Sequence, residues 1–336
     1  MTKIITNYKT PADATYDVLG VGSAIVDVLA QIDDDFLVNE QMHKGTMALI
    51  DDVRAEELYD KLGACTECSG GSVANSLAGM ADLGAKTAFM GRVKDDQLGN
   101  IFRHDMRSVG VDFDTPAATE GKPTARCFIC VTPDAERTMN TYIGGSSEFT
   151  PEGIDKQRIA DSGITFLEGY LWDYPQAIEA MQLAAATAKR TGRKVAFSLS
   201  DLFCVERHRD TFLELIHQYV DILFANEQEA VALTKSNNLQ DAIEQIGSMV
   251  EVAAITCNKD GVWVSHMGDA KLIATSSIDE VVDTTGAGDM FAAGFLYGLT
   301  KGWDMEKSAN LGHKCAGEII QQIGARPMNS LKELVA

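Results

Sequence analysis

The run Val281-Val-Asp-Thr-Thr-Gly-Ala-Gly-Asp289, continued by Met290-Phe-Ala-Ala-Gly-Phe-Leu-Tyr-Gly-Leu299, sets a strand-like stretch against a glycine turn and then a helix. Phe291, Phe295 and Leu299 fall on one face at helical spacing. Gly286 and Gly288 permit backbone angles that other residues avoid. Successive N–H groups around Gly286, Ala287 and Gly288 can therefore converge on a phosphate, and the helix dipole adds positive potential. Asp289 stands in the first helical turn, where a carboxylate also complements the dipole on its own account. A bare carboxylate beside an anion cradle partly cancels it, however. The pairing makes sense where the carboxylate takes a proton from an attacking hydroxyl while the cradle holds migrating charge.

Outward from this turn the chain alternates strand and helix. In the second half, strands are expected at Ile164–Leu167, Val195–Ser198, Asp221–Phe224 and Ala253–Thr256, with helices over Pro175–Lys189 and near Thr211–Gln218. In the first half, Tyr16-Asp-Val-Leu-Gly-Val-Gly22 reads as a buried strand. Val73, Leu77 and Met80 then repeat at helical spacing after Gly70-Gly71, and a later helix carries Leu98, Ile101, Phe102 and Val109. This order predicts an α/β domain with a mostly parallel sheet covered by helices on both faces, with ligand loops at the carboxyl ends of the strands. Residues 28–50 and 123–143 break the alternation and read as a small β-sheet lid that sheds water on closure. Residues 1–27, 51–122 and 144–336 then form the large domain.

Composition narrows the partners. The 336 residues suit one large domain with an appendage, and 29 basic against 49 acidic side chains leave a formal charge of -20. Such a surface repels nucleic acid and anionic membranes. No window approaches the roughly 18 apolar residues of a membrane span, so a cytoplasmic protein is expected. Cys65/Cys68 and Cys127/Cys130 have Cys-x-x-Cys spacing. The second pair lies in the strand-like Ala125-Arg-Cys-Phe-Ile-Cys-Val131, without the turn that lets thiolates converge on zinc, so buried reduced thiols are the preferred reading.

The glycine-turn run resembles the C-terminal signature of the ribokinase-like (PfkB) carbohydrate and nucleoside kinases. Gly70-Gly-Ser-Val-Ala-Asn-Ser-Leu-Ala-Gly-Met-Ala-Asp-Leu-Gly84, followed by Gly91-Arg-Val-Lys-Asp-Asp-Gln-Leu-Gly99, is similar to the N-terminal one. The resemblance implies a ribokinase-like three-layer α/β/α domain with an inserted β lid. It also implies Asp289 as catalytic base, and Asp27 at a strand end, Gly70, Gly71 and Asn75 as holders of substrate hydroxyls. Asn226-Glu-Gln-Glu229 resembles the element that places Mg²⁺, often through water, with Glu229 on the metal side. Thr256-Cys-Asn-Lys-Asp-Gly261 resembles the nucleotide-phosphate loop, with Asn258 where a glycine is usual; Asn tolerates left-handed backbone better than most residues. Asn310 and His313 align with the helix bordering adenine. Arg137 in the lid could swing over the phosphates on closure.

Within the family the chain is most similar to adenosine kinases, through Asp33-Asp-Asp-Phe-Leu37, Tyr219-Val-Asp-Ile-Leu-Phe-Ala-Asn-Glu-Gln-Glu-Ala230 and Gly312-His-Lys-Cys-Ala-Gly-Glu-Ile-Ile320. The expected reaction carries the γ-phosphate of ATP to the primary hydroxyl of adenosine, giving AMP, with Mg²⁺ and, as a candidate, K⁺. Tyr170 and Trp172 are expected to line the purine slot. Ser23 and Thr285 each replace an Asn usual in adenosine kinases, which keeps other nucleosides, ribose or fructose open as acceptors. An NAD-dependent oxidoreductase is a poor alternative, because Gly20-Val-Gly-Ser-Ala-Ile25 lacks the third glycine of the dinucleotide fingerprint. The assembly is read as monomer or homodimer.

Overall fold

The computed structural model describes residues 8–134, 136–276, 278 and 281–335. Residues 1–7, which open the expected large domain, and Ala135 of the expected lid lie outside the described residues. The strands are β1 (Tyr16–Val21), β2 (Ile25–Gln31), β3 (Met47–Leu49), β4 (Thr66–Gly70), β5 (Thr87–Met90), β6 (Val111–Asp112), β7 (Ala125–Val131), β8 (Arg137–Tyr142), β9 (Ser162–Glu168), β10 (Lys194–Ser198), β11 (Ile222–Asn226), β12 (Val252–Thr256), β13 (Val262–His266) and β14 (Asp269–Ile273). The helices are α1 (Asp34–Asn39), α2 (Asp52–Lys61), α3 (Ser72–Asp82), α4 (Gln97–Ser108), α5 (Lys156–Ala160), α6 (Pro175–Arg190), α7 (Leu202–Tyr219), α8 (Glu227–Thr234), α9 (Leu239–Met249), α10 (Ala287–Thr300) and α11 (Met305–Ile319).

Among the described residues a nine-stranded sheet runs β14-β13-β12-β11-β10-β9-β1-β5-β6. It is parallel from β6 to β12 and antiparallel at β13 and β14. Its central strands are apolar at nearly every position because both faces are covered. Leu77, Phe102, Phe295 and Leu311 from α3, α4, α10 and α11 fill the core on one face. Ala180, Phe212, Leu233 and Ile243 from α6, α7, α8 and α9 fill it on the other. The expected three-layer architecture is therefore present.

Helix α10 is buried on all sides from Met290 to Thr300, as a helix apolar all round must be. A Cβ on Gly79 of α3 would lie 2.9 Å from Met290 Sδ, and one on Gly294 would lie 2.7 Å from the Gly312 nitrogen of α11. These small residues let the three helices approach closely, so packing fixes the N-terminus of α10 and with it Asp289.

The second sheet, β3-β8-β7-β2-β4, is larger than expected. β2 begins at Ile25, and β4 pairs antiparallel with it, so 25–27 and 66–70 are part of the small sheet. Thr66-Glu-Cys-Ser-Gly70 hid from the sequence reading because a short edge strand needs no apolar run. Two smaller corrections concern helices. α7 starts at Leu202, capped by the Asp201 side chain, well before Thr211, and Val109 is the exposed C-cap of α4.

Cys127 and Cys130 point to opposite faces of β7, as residues three apart on a strand do. Cys127 joins Ile25, Ile129 and Val131 on one face, while Cys130 packs with the main core on the other.

Candidate active site

Where the two sheets meet, β4 runs through Gly70-Gly71 into α3, and this corner faces the N-terminus of α10. Gly70 is required by proximity: a Cβ there would lie 2.4 Å from Asp27 Oδ2. Gly71 has φ +92, and its Cβ would meet the Ser23 carbonyl oxygen at 2.4 Å. Only glycine satisfies both conditions. Asp27 sits inside β2, opposite Cys68 of β4 and Cys127 of β7, not at a strand end as the sequence suggested. It is held on the lid face by sheet pairing on both sides.

Asp289 is held from α3: Ser72 Oγ donates to Oδ1 at 2.7 Å, and Asn75 Nδ2 donates to Oδ2 at 2.9 Å. Burial raises its pKa, opposed by these two bonds and by the charge of Arg326. Burial also pushes the Asp27 carboxyl up to about 7, opposed by Arg326 and Arg137 and reinforced by Asp289. Two buried, electrostatically coupled acids with raised pKa values thus lie side by side, the environment expected of a site that handles protons. Ser23 Oγ and Asn75 Oδ1 are buried there without a protein hydrogen-bond partner, and unpaired buried polar atoms call for a ligand.

Several participants escaped the sequence reading. Glu168, wholly buried at the end of β9, accepts from the Ser23 N–H at 2.8 Å and the Val73 N–H at 3.0 Å. It caps α3 from another element, since Gly71 offers no capping side chain. A lone carboxylate closing the apolar run Ile164-Thr-Phe-Leu-Glu168 was the available signal. Ser72 lay inside a recognised motif but carried no assigned role. Arg326 donates to the Ser69 and Ala74 carbonyls at 3.0 and 3.1 Å, and nothing in Gly324-Ala-Arg-Pro327 announced it.

On the far side of Asp289, Gly286 is left-handed at φ +78 and caps α10 without any side-chain bond. Gly288 is helical, so its value is space: a Cβ there would meet nothing within 4 Å. The expectation that both glycines adopt unusual angles therefore holds for Gly286 alone. Asn226 and Thr256 are register partners at the ends of β11 and β12. Asn226 and Glu229 form a capping box at the start of α8, with Asn226 Nδ2 donating to Glu229 Oε1 at 2.6 Å and the Asn226 N–H to Oε2 at 3.0 Å. Burial pushes Glu229 up to about 7. Asn258 is left-handed at φ +47 and Gly261 has φ +109, so Asn258 adopts a backbone conformation that favours glycine.

His313 packs 5.5 Å from the Phe291 ring with both ring nitrogens unpartnered. Burial lowers its pKa and favours the neutral ring. Asn310 is separate: it lines an exposed cleft of about 360 Å³ with Lys271, Trp303 and Lys307. Tyr170 is half-buried, and its hydroxyl donates to the Ser200 carbonyl at 3.1 Å. Trp172 is a correction. It is fully buried against Phe197 and Phe212, donates from Nε1 to Thr211 Oγ1 at 3.0 Å, and belongs to the core. Arg137 adjoins the glycine turn from β8. It ion-pairs with Asp283 Oδ2 at 2.9 Å and donates to Thr285 Oγ1 at 3.2 Å, joining the lid to the strand-like run before the turn.

A buried carboxylate in the first turn of a helix, where a small β sheet meets a three-layer α/β/α domain, fits a small-molecule kinase with an alcohol group as acceptor. The chain belongs to the pfkB family of carbohydrate kinases, whose family model matches residues 45–332. It is 47% identical to the adenosine kinase of Sinorhizobium meliloti, whose crystal structure covers 96% of this chain and 99% of its own at a TM-score of 0.89. A probable sugar kinase from Rhizobium etli is 46% identical, with a TM-score of 0.89 over 95% of this chain and 97% of its own. The ATP-dependent ribose-1-phosphate kinase of Halopiger xanaduensis is 30% identical over 77% of this chain and 83% of its own.

Proposed function

We propose that this kinase transfers the γ-phosphate of ATP to the primary hydroxyl of a nucleoside, with adenosine as the preferred acceptor and AMP as product. The carrying observation is the buried, electrostatically coupled pair Asp27 and Asp289, with Ser23 Oγ and Asn75 Oδ1 unpartnered beside them. Asp27 accepts vicinal ribose hydroxyls, bringing the primary hydroxyl to Asp289. Ser72 and Asn75 fix the Asp289 carboxylate so that it takes the hydroxyl proton as attack proceeds. The α10 N-terminus at Gly286, Ala287 and Gly288 stabilises the phosphoryl charge.

The lid favours a nucleoside over a plain sugar, because Ile25, Leu29, Ile129 and Met139 cluster on the face that carries Asp27. That is an apolar wall suited to a base. Tyr170 and Phe203, the latter 63% exposed in the first turn of α7, are proposed to border the base from the opposite side. The likeness to the Sinorhizobium meliloti adenosine kinase supports the same acceptor.

Thr256, Asn258, Gly261 and Asn226 are proposed to border the phosphates and His313 the adenine of ATP, whereas Asn310 in its separate cleft is set aside. Mg²⁺, bound with ATP, supplies charge neutralisation on the phosphates. Both Glu229 oxygens accept from Asn226, so Glu229 is proposed to act on the metal through water. Asp283 accepts from the Thr285 and Gly324 N–H groups at 3.0 Å each and pairs with Arg137, which leaves little for K⁺ at that carboxylate while the lid arginine is docked. AMP formation from a free nucleoside suits purine salvage in the cytoplasm, and no described helix is long and apolar enough to cross a membrane.

The sugar-kinase reading is favoured by the Rhizobium etli and Halopiger xanaduensis relatives. ADP release measured with adenosine, guanosine, ribose, ribose 1-phosphate and fructose separates the two. A kcat/KM for ribose equal to that for adenosine would reject the nucleoside assignment.

A further inference from the structure

The segment Gly324-Ala-Arg326 touches both halves of the site. The Gly324 N–H donates to Asp283 Oδ2 at 3.0 Å. Ala325 packs beneath the glycine turn, where a Cβ on Gly286 would come within 2.8 Å of its own Cβ. Arg326 reaches the opposite way. Its Nε donates to the Ser69 carbonyl at 3.0 Å, Nη1 to the Ala74 carbonyl at 3.1 Å, and Nη2 to Ser69 Oγ at 3.1 Å, with Met106 Sδ at 3.2 Å. These partners bracket Gly70 and Gly71 from before and after, on β4 and on the first turn of α3.

All four acceptors are neutral. A desolvated guanidinium normally sits on a carboxylate, because an uncompensated charge in the interior is costly. The charged and titratable groups around Arg326 are Asp27 on β2, Cys68 on β4, Asp105 on α4 and Asp289 on α10. Asp105 is already engaged by the Ser69 N–H at 2.9 Å. Around Asp27 stand Arg326, Arg137, Asp289, Cys68 and Cys127, and around Asp289 stand Arg326, Ser72, Asn75, Glu168 and Tyr170. Arg137 is committed to Asp283. Arg326 is thus the cation shared by the two acids that the chemistry uses.

We propose that Arg326 is a positioning residue for phosphoryl transfer, its fork clamping the Ser69–Ala74 corner and its fixed charge letting Asp27 and Asp289 be ionised together. The inference rests on the roles given above to those two carboxylates. It predicts separate effects for fork and charge. Arg326→Gln loses both, so the acid limb of the kcat/KM profile moves up by about one pH unit, as expected for removal of a nearby opposite charge. Arg326→Lys keeps the charge, so its limb stays at the wild-type position while the acceptor KM rises about tenfold through loss of the bidentate grip.

Both variants are checked by circular dichroism and then assayed with the acceptor that wild type prefers. A folded Arg326→Gln enzyme whose acid limb coincides with that of wild type overturns the proposal. Should that variant not fold, Arg326→Lys decides alone: a raised KM with an unmoved limb supports the proposal, and a wild-type KM overturns it. Turnover is not required for a second readout by urea unfolding. Arg326→Lys measured against Arg326→Gln should show an unfolding constant that differs about tenfold more at pH 8.5, where Asp27 is charged, than at pH 5.5, where it is protonated. An equal difference at both pH values overturns the charge role. If wild type phosphorylates none of the acceptors, the functional reading fails while this unfolding comparison still tests Arg326.

Discussion

Replacing Asp27 by Asn should stabilise the fold while weakening the hold on substrate, by an amount that depends on pH. Burial lifts the Asp27 carboxyl from 3.8 to about 7. That is about 3 pH units, and at ~1.36 kcal/mol per unit it amounts to about 4 kcal/mol against the ionised folded state. The sign follows from linkage: the folded protein holds this proton more tightly than the unfolded chain. Stability is therefore greatest below the ordinary carboxylate range and falls as pH rises towards 7. At pH 5.5 about 2 kcal/mol of that penalty has developed, and at pH 8.5 all of about 4 kcal/mol. Asp27→Asn removes the penalty, so its gain over wild type should grow by about 2 kcal/mol between the two pH values, whatever constant offset the amide brings to packing. Urea unfolding at pH 5.5 and 8.5 measures this, and calorimetric titration with adenosine should show binding weakened at least tenfold, the loss of charge-assisted hydrogen bonds to two hydroxyls. A gain that is the same at both pH values would refute the reasoning, because Asp27 would then not be a desolvated carboxylate.

Other expectations are more local. Gly70→Ala places a Cβ 2.4 Å from Asp27 Oδ2, so it should raise the acceptor KM more than tenfold with a smaller effect on the melting temperature, read by steady-state kinetics beside thermal unfolding. Arg137→Met strands the buried Asp283 carboxylate, 4% exposed, and should destabilise by about 3 kcal/mol in urea unfolding; Asp283→Asn added to it should recover part of that loss. Phe203→Ala should raise KM for adenosine several-fold and leave KM for ribose unchanged, because only the base meets the ring. Activity should fall on the acid side as Asp289, whose pKa burial raises, takes up a proton; a pH profile flat down to about 4, near the ordinary Asp value, would contradict that.

Much of this was legible because parallel strands and their covering helices write regular apolar patterns, and because Gly286 and Gly71 mark positive-φ backbone and Gly70 a close approach to Asp27. The left-handed Asn258 followed from the same reasoning. What escaped depends on packing between distant segments. Trp172 at a strand end could have faced substrate or core, and only its contacts with Phe197 and Phe212 decide. Thr66–Gly70 is a strand by virtue of its pairing with β2, not of its own composition. Glu168 and Arg326 act through hydrogen bonds to residues 95 and 257 positions away, a relation that no local pattern encodes. Arg137 lies on β8 of the second sheet, and its partner Asp283 became visible only when the two sheets met.

The central claim is that Asp289 takes the proton of the acceptor hydroxyl. Asp289→Asn keeps the size of the side chain beside Ser72 and Asn75 while removing the base. Single-turnover phosphorylation of adenosine, with adenosine affinity measured in parallel, tests it most directly. The account predicts a rate lower by about 10²–10⁴-fold with affinity within a few-fold of wild type. A variant that binds adenosine and phosphorylates it at a near-normal rate would contradict it.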